Sequence, residues 1–122
     1  MAITYTYEPQ NNIGIIKCSG EVTIEDRYAC IGQMIHQGCH PKGTNILINV
    51  SLVDNSPSPS EVSKISRLIE RFEEIGVRRV AILNTTAGHL TISHFVAFQV
   101  GTGAVKTKVF MLESKAREWL NS

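Results

Sequence analysis

The sequence has no excess of charge of either sign, no long apolar run and no closely spaced pair of cysteines. Twelve Lys and Arg residues nearly balance eleven Asp and Glu residues, which gives a net charge of +1 with neutral histidines. This balance argues against a nucleic-acid-binding protein, whose affinity depends on many contacts between cations and phosphates. No segment approaches the roughly 18 consecutive apolar residues of a transmembrane helix, so we expect no integral membrane segment.

Signals for secretion and disulfide formation are also missing. The opening residues, MAITYTYEPQ, contain no basic segment followed by an apolar one, so no signal peptide is predicted and we expect a cytoplasmic protein. Cys18, Cys30 and Cys39 are an odd number without a CxxC spacing, which predicts free thiols. The length of 122 residues and the 43% of apolar residues predict one folded domain over residues 1–122.

No recognisable motif for catalysis is present. No serine lies in a GxSxG motif, no cysteine has a recognisable partner pattern and no acidic pair stands out. We therefore predict a protein that is not an enzyme and that has no cofactor. His36, Cys39 and His40 are potential metal ligands, but zinc sites usually have four ligands and only His89 and His94 remain as candidates. No metal site is predicted.

The pattern of apolar residues predicts an α/β protein with the order β-β-α-β-α-β-α-β-α. Strands that alternate with helices indicate a mostly parallel sheet of five strands with about four helices, in which the first strand is the antiparallel exception. The predicted strands are Ile3–Tyr7, Ile13–Ser19, Ile46–Val50, Val80–Leu83 and a half-exposed strand over 105–110.

Helical spacing of apolar residues defines the helices. The first helix is predicted to begin after Thr23, with Asp26 completing a capping box. Its apolar stripe is Ile24, Tyr28, Ile31 and Ile35. The second has the stripe Val62, Ile65, Leu68, Ile69, Phe72 and Ile75 and ends at Gly76. The closing helix has the stripe Leu112, Ala116, Trp119 and Leu120.

The third predicted helix, Leu90–Val100, is apolar around more than half of its circumference. Ile92, Phe95, Val96, Phe98 and Val100 occupy more of the helix than one sheet could cover. This excess predicts a second contact, and a homodimer interface is the preferred interpretation. A small apolar ligand, bound in a pocket near Phe95 and Phe98, is the alternative.

Four segments resemble the SpoIIAA-like family within the STAS group, the sulfate transporter and anti-sigma-factor antagonist domains. They are Gly20-Glu21-Val22-Thr23, NILINVSLVD before the second helix, RRVAIL as the fourth strand, and KVFMLESKAREWL at the end. The resemblance spans nearly the whole chain and implies a βα superhelix without a built-in catalytic centre. It implies one of several roles, namely anti-sigma-factor binding, protein interaction, nucleotide sensing, or lipid binding by analogy with Sec14-type proteins.

The same resemblance implies a phosphorylation switch at the start of the second helix, and the stretch VDNSPSPSEV tests it. In regulated members a hydrophobic residue and an Asp precede the phosphorylated Ser; here Val53 and Asp54 are followed by Asn55, which cannot be phosphorylated. Ser56 is the phosphosite that a shift of one residue would allow. Helix-capping rules offer a structural interpretation, in which Ser58 and Glu61 form a capping box around Pro59 at the first helical position.

These observations predict a non-catalytic binding module that contacts another protein. The predicted interaction surface contains Asp54, Asn55, Ser58, Phe95 and Phe98. Cations of the second helix lie near Arg78 and Arg79 in this interpretation and could meet an anionic partner. Interspersed glutamates favour a solvated face instead.

Overall fold

The computed structural model describes residues 2–37, 43–54, 58–85 and 105–122. Its strands are β1 (Ile3–Glu8), β2 (Ile13–Gly20), β3 (Asn45–Val53), β4 (Arg79–Leu83) and β5 (Lys106–Phe110). Its α-helices in these ranges are α1 (Ile24–Gln37), α2 (Pro59–Glu70) and α3 (Glu113–Leu120), and a 3-10 helix, Arg71–Ile75, continues α2.

The five strands form one mixed sheet in the order β1-β2-β3-β4-β5. β1 pairs antiparallel with β2, from Ile3 opposite Cys18 to Glu8 opposite Ile13. The pairs β2–β3, β3–β4 and β4–β5 are parallel. The predicted α/β architecture, with five strands and an antiparallel first strand, is therefore confirmed.

Helices cover both faces of the sheet. One face packs against α1, α2 and the 3-10 helix around a core that includes Ile46, Phe72 and Val80, each fully buried. The opposite face packs against α3 around Leu47 and Ala81. Burial on both faces explains why β3 and β4 are continuously apolar runs in the sequence, because each successive side chain enters a core.

The capping predictions for α1 and α2 are correct. The Asp26 N–H donates to Thr23 Oγ1 at 3.1 Å, and the Thr23 N–H donates to Asp26 Oδ2 at 3.0 Å. At α2 the Ser58 and Glu61 pair forms the same reciprocal box, with Pro59 as the first helical residue. Gly76 ends the 3-10 helix in the left-handed region, at φ 82°, where glycine avoids the steric cost of a Cβ.

The predicted stripe of α1 is wrong at Tyr28, whose side chain is 44% exposed. The inward face instead runs through Ile24, Arg27, Ile31 and Met34, with Ile31 and Met34 buried and Arg27 half-buried. These positions follow the i, i+3, i+7 spacing of one helix face. The predicted inward face is therefore shifted by one residue at this point. The prediction chose Tyr28 over its neighbour Arg27 because Arg27 is charged.

The closing helix also differs from its predicted stripe. Leu112 lies just before α3 in extended backbone and is 60% exposed, whereas Ala116 and Leu120 are buried as predicted. The predicted third helix, Leu90–Val100, lies outside the described residues. Within the described ranges, no helix has the length and apolar character needed to cross a bilayer.

β3 is four residues longer than predicted, and it carries one extra residue near its end. Lys17 pairs with Asn49 and Ser19 pairs with Leu52, so two steps along β2 correspond to three along β3. This bulge changes the direction in which the β3 side chains after Asn49 point. β4 ends opposite Asn49, so the last four residues of β3 extend beyond β4.

Candidate functional site

The carboxyl edge of the sheet brings together the candidate residues that the structure describes. β2 ends at Gly20, β3 at Val53, β4 at Leu83 and β5 at Phe110, and Leu83 pairs with Phe110. In open α/β sheets, ligands and partners commonly meet this edge, because the loops that follow the strands converge there.

Hydrogen bonds fix the backbone at this edge. The Asp54 N–H donates to Gly20 O at 2.8 Å, and the Asn84 N–H donates to Phe110 O at 2.9 Å. The Ser51 hydroxyl accepts a hydrogen bond from the Thr85 N–H at 3.0 Å. The ends of neighbouring strands are thus tied to one another, and the side chains that follow them are carried on a rigid frame.

Apolar side chains are exposed on this frame. Leu52 is 57% exposed, Met111 49% and Leu112 60%, and together with Tyr28 these are the large apolar residues exposed in the described part of the chain. Leu52 precedes the end of β3, while Met111 and Leu112 follow β5. Two strand spacings separate β3 from β5, or about 10 Å. We call Leu52, Asp54, Met111 and Leu112 the carboxyl-edge surface.

Two of the predicted site residues lie at or near this surface. Asp54 is exposed directly after β3, and Ser58 is exposed at the start of α2. Asn55, Ser56, Phe95 and Phe98 lie outside the described residues, so their predicted roles stay predictions. Leu52, Met111 and Leu112 were not predicted as site residues. Leu112 was assigned to the apolar stripe of the closing helix, and Leu52 and Met111 lie just beyond predicted strands.

The side chain of Ser58 is engaged in helix capping. Its hydroxyl accepts from the Glu61 N–H at 3.4 Å, and the Ser58 N–H donates to Glu61 Oε1 at 3.0 Å. The pKa of Glu61 is lowered, first by the hydrogen bond that the Ser58 N–H donates to its carboxylate and then by the Ser58 side chain. The capping interpretation of Ser58 and Glu61 is confirmed.

Arg27 is a residue near the start of α2 that the sequence interpretation missed. Burial lowers the pKa of Arg27, since the charged guanidinium loses solvent, and the carboxylates of Glu61 and Asp26 act against this shift. Burial also raises the pKa of the Cys18 thiol. A thiol in that state is a poor nucleophile, because the thiolate is the reactive form.

Metal ligands do not converge in the described ranges. No group of three His, Cys, Asp or Glu side chains there is placed to hold a metal ion. Cys18 is a free thiol, as predicted. Cys39, His40 and the side chain of His36 lie outside the described residues.

No protein-family model and no curated protein matches the chain. Among solved structures, the chain is similar to an uncharacterized protein of the DUF3478 family with a SpoIIAA-like fold from Shewanella loihica. The TM-score is 0.62 at 18% sequence identity, and the match covers 98% of this chain and 92% of that one. The chain therefore has the SpoIIAA-like α/β fold, and the resemblance predicted from the sequence is confirmed at the level of fold.

Proposed function

We propose that the chain is a single-domain, non-catalytic binding module, acting in the cytoplasm, that binds another protein through its carboxyl-edge surface. The observation that carries this proposal is the placement of the exposed apolar side chains. Leu52, Met111 and Leu112 come from two separate segments, residues 45–53 and 106–112, and lie at one edge of the sheet. Single exposed apolar residues are ordinary, whereas a group at one edge favours an interaction site.

Charge suggests the character of the partner. Glu21 and Asp54 are exposed and follow Gly20 and Val53, which pair with each other at the ends of β2 and β3. Two carboxylates therefore lie on one side of the apolar group, as in interfaces with an apolar centre and a polar rim. A partner with apolar side chains bordered by Lys or Arg would complement this surface, because opposite charges guide docking and disfavour wrong partners.

Photocrosslinking in the native host tests the proposal. A p-benzoylphenylalanine is placed at position 52 or at position 112, and a control is placed at position 115, an exposed lysine of α3. If the two segments form one surface, we expect the same adduct mass from positions 52 and 112 and none from 115. An adduct of twice the mass of the chain would identify a second copy as the partner.

A second arm asks whether the two positions cooperate. Leu52→Asp is combined with the crosslinker at position 112, and we expect the yield to fall about tenfold, since an anchor side chain contributes more than about 1 kcal/mol. Leu52 is exposed, so the variant should fold normally, which its melting temperature checks. Different adducts from the two positions, or an unchanged yield in Leu52→Asp, would refute a single surface.

The other functions indicated by the sequence stay predictions. A homodimer through the third helix and an apolar ligand near Phe95 and Phe98 both concern residues outside the described ranges. So does a phosphoswitch through Ser56. For the last, a negative charge at the start of α2 would be favoured by the helix dipole.

A further inference from the structure

A groove at the opposite, amino edge of the sheet is lined by positively charged side chains. It has a volume of about 820 Å³ and lies where β4 and β5 begin. Its charged lining residues are Arg78, Arg79, Lys106 and Glu73, and Gly43 and Gly76 complete much of the wall. We call it the amino-edge groove.

The positive charge of the groove is not neutralised within the described part of the chain. The ion pairs found there involve Arg71, Lys115 and Arg117. Arg78, Arg79 and Lys106 take part in none of them. Three cations against the single carboxylate of Glu73 give a formal charge of +2 along the groove wall.

Arg79 is held in place while part of its hydrogen-bonding capacity stays available. Its Nη1 donates to Trp119 O and to Ser122 Oγ, each at 2.6 Å, and its guanidinium carbon lies 5.3 Å from the centroid of the Trp119 ring. Its Nε and Nη2 groups donate to no described residue. A guanidinium that is already ordered loses little entropy when it binds an anion, and its planar fork suits a phosphate or carboxylate.

Protection of the sheet edge explains only part of this charge. Lysines on an edge strand discourage pairing with another chain, and β5 is an edge strand carrying Lys106. β4, however, pairs with β3 on one side and β5 on the other, so it has no free edge. Arg79 begins β4 and Arg78 precedes it, so neither arginine has this role.

We propose that the amino-edge groove binds a phosphate monoester through Arg78, Arg79 and Lys106. A monoester carries a charge of about −1.5 to −2 at neutral pH, which matches the formal charge of the groove. The groove lies within the range of about 300–1,000 Å³ found for small-molecule sites, so it has room for an organic group beyond the phosphate. This inference does not depend on the proposed protein partner, which uses the other edge.

The single tryptophan provides a direct readout, because Trp119 contacts Arg79 and no other tryptophan contributes to the fluorescence. The purified chain is titrated with glycerol 3-phosphate at constant ionic strength, and Trp119 fluorescence and amide chemical shifts are followed. We expect saturable changes centred on residues 76–79 and 106. Dimethyl phosphate, a monoanion, should bind at least about tenfold more weakly, since it leaves half of the charge unmatched.

Exposed cations allow variants that leave the fold intact. Arg78→Gln and Lys106→Gln should each weaken glycerol 3-phosphate about tenfold, as expected for a lost charge-assisted hydrogen bond, and the double variant should abolish saturation. Lys64→Gln, an exposed charge on α2, is the matched control and should bind as the wild type does. Binding by the double variant within twofold of the wild type, or equal weakening in Lys64→Gln, would overturn the proposal.

A final arm distinguishes a soluble monoester from a lipid headgroup of the same chemistry. Vesicles of phosphatidylcholine with phosphatidic acid present the monoester on a surface, and vesicles with phosphatidylglycerol present a diester. Preference for phosphatidic acid, lost in the double variant, would assign the groove to a lipid headgroup. Binding of glycerol 3-phosphate without vesicle binding would assign it to a soluble ligand. No saturable response to any monoester below about 10 mM would refute the site.

Discussion

The capping box of α2 gives a prediction that tests the structural role of Ser58. Ser58→Ala removes the oxygen that accepts the Glu61 N–H, and one of the first N–H groups of the helix loses its partner. N-cap serines contribute about 0.5–2 kcal/mol. The hydrogen bond is long, at 3.4 Å, and Ser58 is exposed, so water can replace the lost acceptor. We therefore expect the free energy of unfolding to fall by about 0.5–1 kcal/mol.

Thermal and urea unfolding measure this loss. For a domain of this size we expect the melting temperature to fall by about 2–4 °C. Ser58→Asp is the matched variant, because an aspartate caps a helix as well as a serine and should retain the stability of the wild type. If Ser58→Ala and Ser58→Asp have the same stability, the capping box does not stabilise α2 and the structural interpretation of Ser58 is wrong.

Two further predictions concern charged side chains. Arg117 binds Glu8 through both carboxylate oxygens, and this hydrogen bonding lowers the pKa of Glu8 below its ordinary value of 4.5. The ion pair therefore stabilises the fold above that pH, and this stabilisation is lost as the pH falls through the lowered pKa. On acidification, Glu8→Gln should therefore lose less free energy of unfolding than the wild type does, by about 1 kcal/mol or less. Arg27→Met should keep the packing of the stem and remove the desolvated charge, leaving the free energy of unfolding unchanged or raised by about 1 kcal/mol.

Each of these has a control measured by urea unfolding. Glu118→Gln removes an exposed pair with Lys115 at 3.8 Å and should follow the acid response of the wild type. Identical acid responses in Glu8→Gln and the wild type would show that the ion pair of Glu8 with Arg117 contributes nothing to the free energy of unfolding. Arg27→Lys keeps the charge and should show no gain. A loss of more than about 1 kcal/mol in Arg27→Met would show that the guanidinium stabilises the fold.

Local signals predicted most of the fold. β3 and β4 were recognisable because strands buried on both faces are apolar without interruption, as in VAIL before Asn84. The start of α2 was recognisable because Ser58 and Glu61 satisfy each other within three residues. Such features depend only on neighbouring residues, and the sequence displays them completely.

The errors arose where contacts between residues far apart in the sequence determine the structure. The bulge in β3 depends on its pairing with β2, and without it the exposure of Leu52 has no visible signal. Arg27 faces inward because the apolar residues of α1 set which side of the helix packs against the core. A single charged residue on that side does not change the orientation of the helix. The amino-edge groove depends on topology, since Arg79 and Lys106 become neighbours only when β4 and β5 pair.

The order of the strands has a consequence for how the chain folds. Among the described strands, each one after β1 pairs with the strand that precedes it along the chain, so it has a partner as soon as it leaves the ribosome. The sheet can therefore grow from the β1–β2 hairpin, and each later strand is added after a connection of 22 to 25 residues. The contact between Arg117 and Glu8 spans 109 positions and can form only after β5 is in place. We infer that α3 docks last and that its docking joins the beginning of the sheet to its end.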